Sequence, residues 1–357
     1  MGTRNGIISA GNWLVDRVKT LDVWPARGML ANVVRESHST GGGPANVLID
    51  LARLKAGLHL YAAGLVGDDA DGRMILSQLR ANGIDTAGMQ RTIKRPTSYT
   101  DVMTEQRSGA RTFFHCRGAN ALLDVGHLRG IPPRARIFHL GYLLLLDRLD
   151  GPDLAYGVRW GRLLSELSAQ GYQISVDVVS AQGGRFRKVV APVLPYVDFL
   201  IVNEVEAAGI SGIAIRDGRG HLRFRKLQAA AQWLIRKGVR GTVVIHFPEG
   251  GYALTRAGES CFEPSFHVPP ETIRGTVGAG DAFCAGMLYG IHESWPIAES
   301  LRLANASAAF CLTDATSTGG APTLARLKRY LKRATRNKLP TGFHRDDGDS
   351  SSREANQ

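Results

Sequence analysis

Cysteine is scarce: the 357 residues contain four, Cys116, Cys261, Cys284 and Cys311, far apart and without a CxxC or Cys/His spacing. That excludes a recognisable zinc motif and a disulfide framework, and leaves buried free thiols as the simpler reading. Long apolar runs are missing as well. No stretch approaches the roughly 18–20 uninterrupted apolar residues of a membrane span. The N-terminal region carries Arg4, Asp16, Arg17, Lys19 and Asp22 in place of the apolar core of a signal peptide. These absences predict a soluble, cytoplasmic protein with no membrane partner.

Acidic residues are the minority among charges, 32 Asp and Glu against 44 Lys and Arg, for a formal charge of +12. Such a balance favours anionic ligands. The arginines are scattered, however, and no helix-turn-helix or RNA-binding signature accompanies them. The densest clusters, at 216–226 and 324–338, read as solvated helix or loop faces. Phosphate-bearing small molecules are therefore the expected partners, and nucleic acid is not.

With 44% hydrophobic residues, the chain can bury a substantial core. Strand-like apolar runs alternate with helical patterns: LYAAGLVG (60–67) precedes ADGRMILSQLRANG (70–83), YQISVDV (172–178) and VDFLIVN (197–203) follow, and KLQAAAQWLIRKG (226–238) leads into TVVIHF (242–247). That alternation predicts an α/β fold, a mostly parallel sheet with helices on both faces. Two regions break it. RESHST (35–40) and SYTDVMTEQRSGARTFFHCR (98–117) alternate with period 2, the second around a Ser108-Gly109 turn. They predict a small separate sheet, either a lid over the α/β body or an insertion on its flank. The polar segment 339–357 has too few apolar groups to offset ordering and is expected to be disordered.

The stretch RGTVGAGDAF (274–283) sets three glycines and an aspartate ahead of an apolar helical run. Gly278, Ala279 and Gly280 would form the helix entrance, where free N–H groups and the helix dipole attract an anion and the absence of bulky side chains lets it approach. Asp281 in the same turn repels phosphate. It either complements the helix dipole or accepts a proton from a hydroxyl that attacks phosphorus. A P-loop is absent, and GxGxxG fails because Phe283 stands where its third glycine would be.

GTVGAGDAFCAG resembles the C-terminal signature DTxGAGDxF of the ribokinase-like (PfkB) carbohydrate kinases. Residues 39–86, beginning STGGGPAN, resemble the family's N-terminal glycine motif and its GxDxxG helix, and Asn203-Glu204-Val205-Glu206 matches its NxxE. RGAN (117–120) and residues 303–321 stand where the family has comparable segments. The likeness spans about residues 6–335, in the family's order.

The resemblance implies one ribokinase-like domain over 1–338, a central mostly parallel sheet flanked by helices, with lid strands from about 14–40 and 95–118. It implies an ATP- and Mg²⁺-dependent sugar kinase with Asp281 as base and the amides of Val277 to Gly280 as anion hole. Sugar contacts fall on Asn12, Asp16, Gly42, Gly43 and Asn46. Asn203, Thr276, Gly251 and Asn305 fall on the nucleotide side, and Glu206 holds Mg²⁺ through water. Read without the family, Asp16, Glu206 and Asn305 would be ordinary surface positions and Asn46 a helix cap. A lid-to-lid homodimer is also implied.

Three departures accompany the likeness. Gly275 replaces the aspartate that helps bind a monovalent cation, which puts activation by K⁺ in question. His246 and Pro248 replace Thr and Gly of the nucleotide loop, and proline has no N–H to give a phosphate. DVVSAQGGRF (177–186) keeps its aspartate but loses the Asn or Arg that often follows. Two rival readings remain: a nucleoside kinase, to which Trp13, Tyr99, Phe113 and Phe114 could offer stacking faces, and a sugar- or nucleotide-binding regulator with weakened turnover.

Overall fold

The computed structural model describes residues 4–131, 135–181 and 184–338, so the expectation of disorder over 339–357 lies outside the described residues. The strands are β1 (Ile7–Gly11), β2 (Leu14–Leu21), β3 (Val33–Gly41), β4 (Leu60–Gly67), β5 (Asp85–Thr92), β6 (Ser98–Glu105), β7 (Arg111–Cys116), β8 (Ile137–Leu143), the short pair β9 (Pro152–Asp153) and β10 (Gly157–Val158), β11 (Gln173–Val178), β12 (Phe199–Asn203), β13 (Thr242–Phe247), β14 (Gly250–Thr255) and β15 (Ser260–Pro264). The helices are α1 (Gly43–Arg53), α2 (Ala70–Ala81), α3 (Val125–Leu128), α4 (Arg159–Ala169), α5 (Phe186–Val190), α6 (Glu204–Ser211), α7 (Phe224–Arg236), α8 (Ala279–His292), α9 (Ile297–Cys311) and α10 (Leu324–Leu331).

Among the described residues the main sheet has nine strands in the order β15-β14-β13-β12-β11-β8-β1-β4-β5. It is parallel from β13 to β5, and β14 and β15 turn back antiparallel at one edge. Period-2 geometry sends neighbouring residues of a strand to opposite faces. Thus Ile8, Phe138 and Val243 join one apolar layer with Trp160, Leu164 and Leu234, whereas Ile7, Ile137 and Val244 join the other with Leu48, Ile75, Phe283 and Leu301. Two buried layers explain why the central strands read as unbroken apolar runs. Truncating the buried Leu48 to alanine would cost about 2–5 kcal/mol.

The smaller sheet runs β3-β2-β6-β7. Its β2–β6 pair is parallel and the two outer pairs are antiparallel. The chain leaves the carboxyl end of β1, passes through Asn12 and Trp13 into this sheet, and returns by β3 to the glycines that open α1. That path hangs the small sheet over the carboxyl ends of the parallel strands, where ligands bind in open α/β sheets.

Candidate active site

The centre of the site is Asp281, in the first turn of α8 and 5% exposed. Tyr142, at the end of β8, donates its hydroxyl to Oδ1 at 2.5 Å, and Asn46 of α1 donates its amide to Oδ2 at 2.8 Å. Asn46 lies inside the first turn of α1, with Gly42 at the cap position, so the helix-cap reading of Asn46 is not realised. Its own Oδ1 accepts from Ser317 Oγ at 2.9 Å, which leaves the amide N–H aimed at Asp281. Burial pushes the Asp281 carboxyl up, and the hydrogen bonds from Tyr142 and Asn46 pull it back.

Gly278 makes the helix entrance possible. Its φ is 84°, and a Cβ would lie 2.4 Å from the Ser317 carbonyl oxygen, so a larger residue would both strain the backbone and collide. The first intrahelical bond is Ala282 N to Gly278 O, leaving the amides of the entrance turn to other partners. At the second glycine-rich turn, a Cβ on Gly41 would overlap Asp16 Oδ2, one on Gly42 (φ 89°) the Asn12 carbonyl, and one on Gly43 the Tyr142 ring. The three glycines thus let the Asp16 carboxylate, the β1–β2 crossover and Tyr142 close together.

Asp16, on β2, borders a cleft of ≈ 1340 Å³ between the small sheet and the loops around Thr276 and Ser317. Its carboxyl is pushed up to about 7, chiefly by burial and further by the Asp281 charge. Asn12 is fully buried; its Oδ1 accepts from Asn120, and its Nδ2 has no partner among the described residues.

At the adjoining strand ends, Asn203 caps α6 by accepting from the Val205 and Glu206 amides at 2.9 Å. Glu206 answers by accepting from Asn203 N at 2.9 Å and from Ser180 Oγ at 2.8 Å. NxxE is therefore a capping box as well as a buried carboxylate. Asp177, near the end of β11, is raised well above the carboxylate range by burial, then by the Glu206 and Asp281 charges; burial raises Glu206 too. Two buried carboxyls of this kind suit a hard divalent cation, so the donor chemistry fits Mg²⁺. Among the described residues no group of three or more His, Cys, Asp or Glu forms a metal cage, so most of its ligands would be water and phosphate oxygens.

A monovalent cation does not fit at Gly275. A Cβ there would meet the Arg111 guanidinium Nη2 at 3.3 Å, beside the carbonyls of Asp314 and Ala315 at 3.2 and 3.4 Å, and the position offers no carboxylate.

Three further predicted residues stand apart from Asp281. Thr276 is exposed on the cleft wall. Gly251 is buried opposite His246, with its Cβ position against Phe283 and Leu301. Asn305 is buried, its amide donating to the Glu263 carbonyl at 2.9 Å. His246 lies between Gly280 and the Phe283 ring, and burial lowers it to about 4, which keeps it neutral. Trp13 is fully buried with its indole N–H on Ala63 O, so it offers no face to a base. Tyr142, Ser317, Gly41 and Arg111 were not singled out by sequence reasoning. Gly41 was visible as the first of three glycines, whereas Tyr142 and Arg111 carry no local signal.

A glycine-rich helix entrance, a buried carboxylate in its first turn and a cleft beside the small sheet suit a phosphotransferase with an alcohol as acceptor. Residues 9–324 match the family described as pfkB family carbohydrate kinase. The chain belongs to that family. It is 27% identical over 314 residues to a 5-dehydro-2-deoxygluconokinase of Geobacillus kaustophilus, covering 82% of this chain and 84% of that one. It is 28% identical over 344 residues to fructokinase-1 of Zea mays, covering 93% and 99%. The fold is similar to that of Arabidopsis thaliana ribokinase solved with ribose and ATP, with TM-score 0.75 and 20% identity over 93% of this chain and 100% of that one. A candidate ribokinase II from E. coli, solved with ATP and Mg²⁺, gives TM-score 0.72 and 19% identity over 92% and 99%.

Proposed function

We propose that the protein is an ATP-dependent sugar kinase in which Asp281 takes the proton of the acceptor hydroxyl while the γ-phosphate moves onto that oxygen. The observation that carries this reading is the doubly anchored Asp281 carboxylate at the entrance of α8. A carboxylate held by two donors is oriented before substrate arrives, and its raised proton affinity improves it as an acceptor at neutral pH. Amides of Val277, Gly278, Ala279 and Gly280 hold the equatorial oxygens of the group in transfer. Asp16, Asn12, Asn46, Gly42 and Gly43 orient the sugar, its hydroxyls matching a carboxylate and two amides. Thr276, Gly251 and Asn305 lie on the nucleotide side. Asn203, Glu206 and Asp177 would hold Mg²⁺ through water, and the cation, when bound, would supply charge neutralisation at the phosphates.

The small sheet acts as a lid that keeps water from the transfer, within a single domain spanning 1–338. Its outer strand β3 exposes Val33 and Val34, and the segment leading into it exposes Trp24, Met29 and Leu30, which supports a lid-to-lid homodimer. No helix of the described residues is long and apolar enough to cross a membrane, in keeping with a cytoplasmic enzyme. ADP release measured with a panel of ketoses, aldoses, sugar acids and nucleosides tests the reading. Turnover with a sugar or sugar acid is expected, turnover only with nucleosides would favour the nucleoside kinase, and sugar binding without ADP release would favour the regulator.

A further inference from the structure

Arg111 opens β7 of the lid, yet its guanidinium lies across the cleft beside Gly275, on the loop that leads into the anion hole. Its Nη1 is buried and has no hydrogen-bond partner among the described residues. Among the described residues no carboxylate pairs with it. The Asp314 carboxylate is engaged by the amide and hydroxyl of Thr316 at 2.8 and 2.7 Å, so that loop faces Gly275 with its carbonyl oxygens instead. Two nearby arginines do find acids, Arg17 with Asp71 and Arg117 with Asp147. An uncompensated guanidinium therefore stands among carbonyl oxygens at the place where an aspartate and a monovalent cation would otherwise sit.

We propose that Arg111 is a built-in replacement for the monovalent cation, which makes this kinase independent of K⁺. The inference rests on the kinase reading of the same site. A diffusible cation needs oxygen ligands and an unoccupied negative potential. Gly275 contributes no carboxylate, and a second positive charge beside the guanidinium is repelled. The tethered charge supplies what the ion would, a positive field beside Gly275 and the Asp314 and Ala315 carbonyls that face it. Because it is carried by the lid, that field is complete only when the lid is down.

The test has an arm that needs no turnover. Thermal melting of the wild type in KCl, NaCl and choline chloride at equal ionic strength should give one melting temperature, and a rise specific to KCl overturns the proposal even if no substrate has been found. With an active substrate, ADP release should differ by less than about twofold among the three salts, whereas several-fold stimulation by K⁺ overturns it. Arg111→Met should lower the rate by at least about tenfold in every salt. The double variant Arg111→Met with Gly275→Asp should recover part of that loss in KCl but not in choline chloride. A single variant that folds and keeps the wild-type rate in choline chloride contradicts the assignment. Failure of the Asp281 reading would show separately, in a base variant that keeps its rate whatever the salt.

Discussion

The Tyr142 hydroxyl donates to Oδ1 of Asp281 at 2.5 Å, on the side of the carboxylate opposite the Asn46 amide. β8, α1 and α8 thus meet at one functional group. Removing the Tyr142 donor leaves the carboxylate with less support against burial, so its proton affinity must rise. Tyr142→Phe should move the acid limb of the kcat–pH profile upward and lower kcat by about tenfold, with little change in the KM for sugar. An unmoved acid limb would separate Tyr142 from the base.

Asp16, proposed to orient the sugar, also bears on stability. Its carboxyl titrates at about 7 in the fold against an ordinary 3.8, so between those values the folded state holds a proton that the unfolded state has released. The stability this gives is fully present below pH 3.8 and is lost as pH rises to 7. Asp16→Asn escapes that loss. Its unfolding free energy should exceed that of the wild type by a margin that grows through this range and levels off above it, at up to about 4 kcal/mol. The same variant should bind sugar at least about tenfold more weakly. Denaturation against pH, with calorimetric titration of the sugar, checks both.

Burial raises the proton affinity of both Glu206 and Asp177, and the Glu206 charge raises that of Asp177 further, a cost that a bound divalent cation would offset. Glu206→Gln should demand more Mg²⁺ for half-maximal rate and lower the saturated rate about 10–100-fold. Glutamine keeps one oxygen that can accept the Asn203 N–H, so the α6 capping box should persist. Mg²⁺ titration of ADP release and amide exchange over 203–211 check the two expectations independently.

Gly278 allows no substitution at low cost. Gly278→Ala places a methyl 2.4 Å from Ser317 O at φ 84°, so the entrance must shift. A loss of about 1–3 kcal/mol in stability is expected together with loss of activity. Gly275→Ala meets its nearest atoms at 3.2 Å or more and should be milder. Melting curves of the two variants give the comparison.

Much of this arrangement could be read in the sequence because it is local. The alternating strand and helix runs placed β4, α2, β11, β12, α7 and β13 to within a few residues, and the Ser108-Gly109 turn placed the β6–β7 hairpin. The small sheet was expected, but its parallel β2–β6 pairing was not, since residues far apart in sequence set it. The helix entrance and Asp281 were legible because glycines and acid lie within one turn. Tyr142 was not, because it lies in an apolar strand like any other and gains meaning only where β8 ends beside α8. Arg111 is similar: a β-hairpin arginine reads as a solvated charge until the small sheet brings it to Gly275.

The central claim is that Asp281 removes the acceptor proton. The most direct measurement is ADP release by Asp281→Asn with an active sugar, beside sugar binding by calorimetry in the same preparation. The amide keeps the size of the carboxylate but cannot take the proton, so the rate should fall by about 10²–10⁴ while binding changes only a few-fold. An Asn variant that releases ADP at the wild-type rate would contradict the account.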